Sequence, residues 1–172
     1  MSLHFNSTNP LGPKHTKSQI WLTPKWIIDA LGGYEVFDLD VCGHLPDGKP
    51  IIQTAKKYFT EKEDGLMQPW DWSYNIWCNP PYNDLGSWLK KMSEHGNGII
   101  LCFARTDTKA WQYVKTATGI NFIKGRIKFL NEKGEGNQPA NAASCLIAWG
   151  EENYKRIKNI NGLHVIIDAR IK

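Results

Sequence analysis

The sequence predicts a single α/β domain built on a mostly parallel sheet flanked by helices. Three observations carry that expectation. Short apolar strands alternate with amphipathic helical segments along the chain. The central runs, residues 98–104 and 144–149, are apolar throughout, as strands covered on both faces are. The chain has 172 residues, 41% hydrophobic and 22% charged. That length lets one core bury roughly 70% of the unfolded surface without disulfide staples.

The elements follow in order from the N-terminus. Residues 1–18 are polar, carry Asn9-Pro10 and Gly12-Pro13 and show no periodicity, so they are expected as a flexible arm ahead of one domain over 19–172. Order begins near Gln19-Ile20-Trp21-Leu22. Thr23 then reads as an N-cap with Pro24 at the first helical position. The helix runs over 25–31 and stops at Gly32-Gly33. A strand over 36–42 ends at Gly43, a Pro-, Gly- and Asp-rich loop covers 45–50, and 51–60 fits helix and strand equally. A second strand, 74–78, ends at Asn79-Pro80-Pro81-Tyr82. Over 84–95, Leu85, Trp88, Leu89 and Met92 fall at helical spacing with Lys90, Lys91 and Glu94 opposite. The strand 98–104, a helix over about 107–116, a strand over about 121–130, a loop over 131–141 and strands at 144–149 and 163–167 complete the order.

Composition narrows the function classes. The longest apolar run, 98–104, is far below the ~20 residues of a membrane span. No apolar signal core follows the first basic residues, so a cytoplasmic protein is expected. Cys42, Cys78, Cys102 and Cys145 sit beside apolar residues without CxxC or Cys/His spacing, which predicts reduced thiols and no metal site. The five histidines are scattered. The net charge of +4 is unevenly spread: eight acids and four bases from Tyr34 to Trp72, seven bases and two acids from Arg105 to Lys133. Two kinds of ligand, one cationic or hydroxyl-rich and one anionic, would explain it; so would ordinary fluctuation of surface charge.

The most informative residues are Asn79-Pro80-Pro81-Tyr82 at the carboxyl end of a strand, where ligands bind in open α/β sheets. Two prolines have fixed φ and no N–H donors, so their carbonyls are free to accept. Asn79 adds a side-chain oxygen and Tyr82 a flat ring. Together they suit a planar NH2 group on a π-system: two acceptors for two N–H donors, and a ring to stack on.

This tetrapeptide matches the (Asn/Asp)-Pro-Pro-(Tyr/Phe) signature of S-adenosylmethionine-dependent amino-methyltransferases. The surrounding chain resembles their phage-type DNA adenine-N6 branch over about Trp21 to Trp149. The resemblance takes in Trp21-Leu22-Thr23-Pro24, Phe37-Asp38-Leu39-Asp40-Val41, Tyr58-Phe59-Thr60, Asp64-Gly65-Leu66, Trp70, Arg105-Thr106-Asp107-Thr108 and Gly125-Arg126-Ile127-Lys128-Phe129. It implies a Rossmann-like methyltransferase domain with S-adenosylmethionine as cofactor and DNA as partner.

By the same resemblance, Asn79, Pro80, Pro81 and Tyr82 are the catalytic loop. Asp38, Asp40 and Gly43 occupy the cofactor-binding turn, with one glycine where many methyltransferases have two or three. Either carboxylate of that turn serves the cofactor, or one is structural. Thr23-Pro24 resembles the segment against the methionine moiety. Asp64 resembles the acid that accepts from the cofactor's adenine amine, and equally fits a surface turn in an acidic run. Arg105, Lys124, Arg126 and Lys128, with Lys109, are the expected phosphate contacts. The alternation of Lys124, Arg126 and Lys128 puts all three on one face of the expected strand, as a solvated face also would. The implied reaction is methylation of a flipped adenine stacked on Tyr82. A methyltransferase for a protein glutamine amide or an RNA base, and a non-catalytic nucleic-acid-binding domain, remain as alternatives; the basic segment suits a polyanion better than a peptide.

Overall fold

A computed structural model of the chain describes residues 20–136 and 139–167. The expected arm over 1–18 lies outside the described residues, as do positions 137 and 138 of the 131–141 loop. In chain order the strands are β1 (Leu39–Asp40), β2 (Lys57–Tyr58), β3 (Ile76–Cys78), β4 (Gly98–Phe103), β5 (Gly119–Ile123), β6 (Ser144–Trp149) and β7 (Gly162–Ile166). They form one sheet in the order β2-β1-β3-β4-β6-β5-β7.

The sheet is parallel in one half only. β1 pairs parallel with β2 and β3, and β3 with β4. β6 then inserts antiparallel between β4 and β5, and β7 runs antiparallel along β5. An apolar run such as 144–149 records burial on both faces but not strand direction, which the connections set.

Burial explains those apolar runs. Along β3 and β4, Trp77, Ile99 and Leu101 face one side, where Ile27, Ile28 and Leu31 of the first helical segment and Tyr154 and Ile157 of the last pack against them. Ile76, Cys78, Ile100 and Cys102 face the other, under Trp88, Leu89 and Met92. The helices are α1 (Lys25–Ala30), α2 (Leu85–His95) and α3 (Glu151–Ile157). None of the helices among the described residues is long and apolar enough to cross a membrane.

Several expected elements are shorter or different. The strand over 36–42 shrinks to Leu39–Asp40, because 34–36 closes a 3-10 turn and the Asp40 carboxylate accepts from the Cys42 N–H at 2.9 Å, turning the chain out of the ladder. The undecided stretch 51–60 contributes only β2. The helix over 107–116 is a 3-10 helix, Lys109–Thr116. The strand over 121–130 stops at Ile123, and Gly125 takes φ +84°. Lys124, Arg126 and Lys128 therefore do not share one strand face; Lys128 makes only an isolated bridge to Pro139. Thr23 is not the helix cap: Pro24 holds that position with extended φ and ψ, and no side chain caps the helix. The sequence reading did not anticipate α3, which follows Gly150 with Glu151 and Glu152 in its first turn and Lys155 and Arg156 in its last.

Candidate active site

β1 has β2 on one side and β3 on the other, so the chain reverses its direction of travel across the sheet between them. The carboxyl ends of β1 and β3 flank that switch point, where a ligand crevice opens in this class of sheet. Asn79 follows β3 directly.

The Asn79 amide is oriented by the segment ahead of α1. Its Nδ2 donates to the Trp21 carbonyl at 2.8 Å and to the Thr23 hydroxyl oxygen at 3.2 Å. A backbone carbonyl only accepts, so the nitrogen must face it and Oδ1 must point away. Among the described residues Oδ1 receives no hydrogen bond, and neither does the carbonyl of buried Pro80. The 20–23 segment is itself anchored: Leu22 exchanges two backbone hydrogen bonds with Leu130, at 2.8 and 3.2 Å, and Trp21 meets Phe129 edge to face at 6.3 Å.

Pro81 is exposed and leads into a 3-10 turn over Tyr82–Asp84. The Tyr82 ring lies on Phe103 at the end of β4, and the Arg105 guanidinium stands 6.0 Å from the Phe103 ring centre. The Tyr82 hydroxyl is buried without a hydrogen-bond partner among the described residues, and that burial pushes its pKa far above the ordinary phenol value.

The acids divide between the two edges of the sheet. Asp40 is buried at the carboxyl end of β1, where the Thr54 hydroxyl donates to Oδ2 and the Cys42 N–H to Oδ1. Burial nevertheless pushes its pKa up to about 6, outweighing both hydrogen bonds. Asp38 lies at the amino end of β1, accepting from the Asn75 N–H at 2.9 Å and pairing with Lys56 at 2.8 Å. Burial acts to raise its pKa, but Asn75 and Lys56 together hold it below the usual carboxylate value. Gly43 is needed for packing: a Cβ there would come within 2.7 Å of the Tyr58 ring.

Asp64 reaches the carboxyl edge on the 61–68 loop with φ +55°, exposed, its Oδ1 accepting from the Leu66 N–H at 3.1 Å. The Lys91 ammonium of α2 donates to the Gly65, Leu66 and Gln68 carbonyls and holds this loop down. The Cys42 thiol marks where the acids converge. Its pKa is pushed up by burial first, then by the Cys78 thiol 3.8 Å away, then by Asp40 and Asp64.

A family model described as DNA N-6-adenine-methyltransferase (Dam) matches residues 12–166. The chain belongs to this family. It is also 25% identical over 159 residues to a DNA N-6-adenine-methyltransferase of Escherichia phage T1. That alignment covers 89% of this chain but only 63% of the phage protein, so the chain spans less than two thirds of its relative's length.

In this Dam-family chain Arg105, Lys124, Arg126 and Lys128 are all exposed, and none is in an ion pair among the described residues. Lys128 adjoins Phe129, which packs on Trp21, whose carbonyl holds Asn79; the basic stretch thus runs up to the 79–82 loop. Sequence reasoning gave no role to Phe103, Thr54 or Lys91, or to the Trp21 carbonyl. Each acts through contacts with residues well separated along the chain, and local pattern carries no signal for such contacts.

Proposed function

We propose that this Dam-family chain transfers a methyl group from S-adenosylmethionine to the exocyclic N6 amine of an adenine flipped out of DNA. The observation that carries the reading is the orientation of Asn79: with Nδ2 tied to Trp21 and Thr23, Oδ1 and the following Pro80 carbonyl are left as acceptors with no donor among the described residues.

The adenine amine is a poor nucleophile because its lone pair is delocalised into the ring. Asn79 Oδ1 and the Pro80 carbonyl accept its two N–H groups and draw the nitrogen toward tetrahedral geometry, freeing the lone pair. Pro80 and Pro81 keep those acceptors in place through fixed φ, so positioning supplies much of the rate. The face of the half-buried Tyr82 ring turned away from Phe103 receives the extruded base. The amine proton becomes acidic as the new bond forms and leaves to water, so no His or Glu base is required.

The residues beside this loop fit the methyl donor. S-adenosylmethionine supplies, when bound, an electrophilic methyl group on a cationic sulfur. The region around Cys42 carries the negative field of Asp40 and Asp64, which favours a cation. Asp40, Gly43 and Asp64, with Thr23-Pro24 ahead of α1, are proposed to line its site. Asp38 stands apart from them, at the amino edge with Lys56. Arg105, Lys124, Arg126 and Lys128 are proposed to hold DNA phosphates.

The test is direct. Incubation with labelled S-adenosylmethionine and DNA, followed by digestion to nucleosides, should yield N6-methyladenine and no methylated cytosine. Label found only in RNA or in protein would overturn the substrate assignment.

A further inference from the structure

We infer that the Trp21 carbonyl and the Thr23 hydroxyl form an acceptor clamp that fixes the Asn79 amide in its reactive orientation and makes asparagine, not aspartate, the residue this site requires. The inference rests on the adenine-methylation reading above and adds to it the positioning residues and the reason for the amide.

An asparagine amide can rotate by half a turn and exchange its oxygen and nitrogen. Only one of the two orientations presents an acceptor to an amine. Here Nδ2 lies 2.8 Å from the Trp21 carbonyl and 3.2 Å from the Thr23 hydroxyl oxygen. Turning the amide over would set Oδ1 against the Trp21 carbonyl, acceptor against acceptor, and would point Nδ2 at the N–H groups it is meant to bind. The clamp itself cannot retreat. Leu22 is bonded in both directions to Leu130, and Thr23 is 3% exposed, so water does not compete for its hydroxyl.

The clamp also discriminates between the two residues that the motif signature allows. An ionised aspartate at position 79 has acceptors only, and one of its oxygens would face the Trp21 carbonyl. A protonated aspartic acid differs: its O–H donates to Trp21 while its carbonyl oxygen faces the substrate. The Asn79→Asp enzyme should therefore work only in its protonated form, whereas Asn79 needs no proton.

The experiment compares methylation of DNA by the wild type, Asn79→Asp, Thr23→Val and Thr23→Ser between pH 5 and pH 8.5. Asp40, Cys42, Cys78, Tyr82, Arg105 and Lys128 are common to all four proteins, so rates are taken as ratios to wild type at each pH. The Asn79→Asp ratio should fall about tenfold per pH unit above the pKa of the new carboxyl, as loss of one required proton demands. Thr23→Val should lower kcat about tenfold at saturating S-adenosylmethionine, where a change at the neighbouring cofactor site does not enter, and Thr23→Ser, which keeps the hydroxyl, should restore it. A cooperative thermal melt of each variant shows that it is folded. A pH-independent Asn79→Asp ratio, or a Thr23→Val kcat that is unchanged or not restored by serine, would overturn the clamp while leaving the methylation reading standing. A wild type that forms no N6-methyladenine at all would overturn the reading and the clamp with it.

Discussion

The Tyr82 ring stacks on Phe103 with centroids 4.1 Å apart and planes 12° from parallel. One face of the tyrosine is thereby used by the protein, and the proposed stacking of an extruded base falls to the opposite face. The pair also joins the loop after β3 to the end of β4, so the stacking surface is fixed before any substrate arrives. Its hydroxyl is buried with no partner among the described residues, a cost the ring's proposed role does not require. Tyr82→Phe should keep turnover within a few-fold and leave stability unchanged or raise it by up to about 1 kcal/mol, since it removes an unpaired buried polar group. Tyr82→Ala should lose both the stack and most of the turnover. Thermal melts and initial rates on the two variants decide it.

Asp40 makes stability depend on pH in the less familiar direction. Burial raises its pKa to about 6 from an ordinary value of 3.8, so the native state holds its proton more tightly than the unfolded chain does. Between these values the native state binds more protons, and stability falls as pH rises. The full effect, for a shift of about two units, is on the order of 3 kcal/mol, lost between roughly pH 4 and pH 6. Asp40→Asn keeps an acceptor for the Cys42 N–H and offers its NH2 to Thr54, so it should abolish this pH dependence and gain on wild type toward neutral pH. Urea midpoints at pH 4.5 and pH 7.5 test it; parallel behaviour of the two proteins would count against it.

The parts of this molecule that were legible in the sequence are those set by local chemistry. Gly32-Gly33 ends α1, the spacing of Trp88, Leu89 and Met92 gives the buried face of α2, and Asn79-Pro80-Pro81-Tyr82 lies at the end of a strand. What was not legible depends on partners far along the chain. Thr23 looks like a cap beside a proline, yet its hydroxyl serves Asn79, 56 residues away. Asp38 and Asp40 look like one acidic turn, yet Lys56 takes the first and Thr54 the second, at opposite ends of β1. The antiparallel insertion of β6 between β4 and β5 is of the same kind, because the run 144–149 is apolar whichever way it points.

Gly65 is required by close approach. A Cβ there would fall 2.1 Å from the Val41 carbonyl oxygen, which is backbone and cannot swing aside. Gly65→Ala should push the 61–68 loop off β1 at a cost of about 1–3 kcal/mol, as overpacking does. It should also weaken S-adenosylmethionine binding, because Asp64, proposed to line the cofactor site, moves with the loop. Gly86 provides the contrast: it lies in α2, and its added Cβ would meet only the Ala110 Cβ, at 3.8 Å. Gly86→Ala should stabilise the fold by up to about 1 kcal/mol through helix propensity. Denaturation midpoints and calorimetric titration of the two variants separate the two glycine roles.

The basic residues call for a measurement that distinguishes phosphate contact from simple solvation. Arg105, Lys124, Arg126 and Lys128 are exposed and outside every ion pair among the described residues, whereas Lys155 is paired with Glu152 at 2.7 Å on α3. Because β5 ends at Ile123, no common strand face unites Lys124, Arg126 and Lys128, and each has to be judged singly. A side chain that neutralises one phosphate releases about one counterion, so its loss lowers the slope of log affinity against log salt by about 1. Alanine at Arg105, Arg126 or Lys128 should do so and weaken binding alike on all DNA sequences. Lys155→Ala should leave the slope where it was. Lys128, which is linked to the proposed catalytic loop through Phe129 and Trp21, should show the effect even on a short duplex centred on the target adenine. An unchanged slope for the Lys128 variant would place the DNA backbone on another face of the protein.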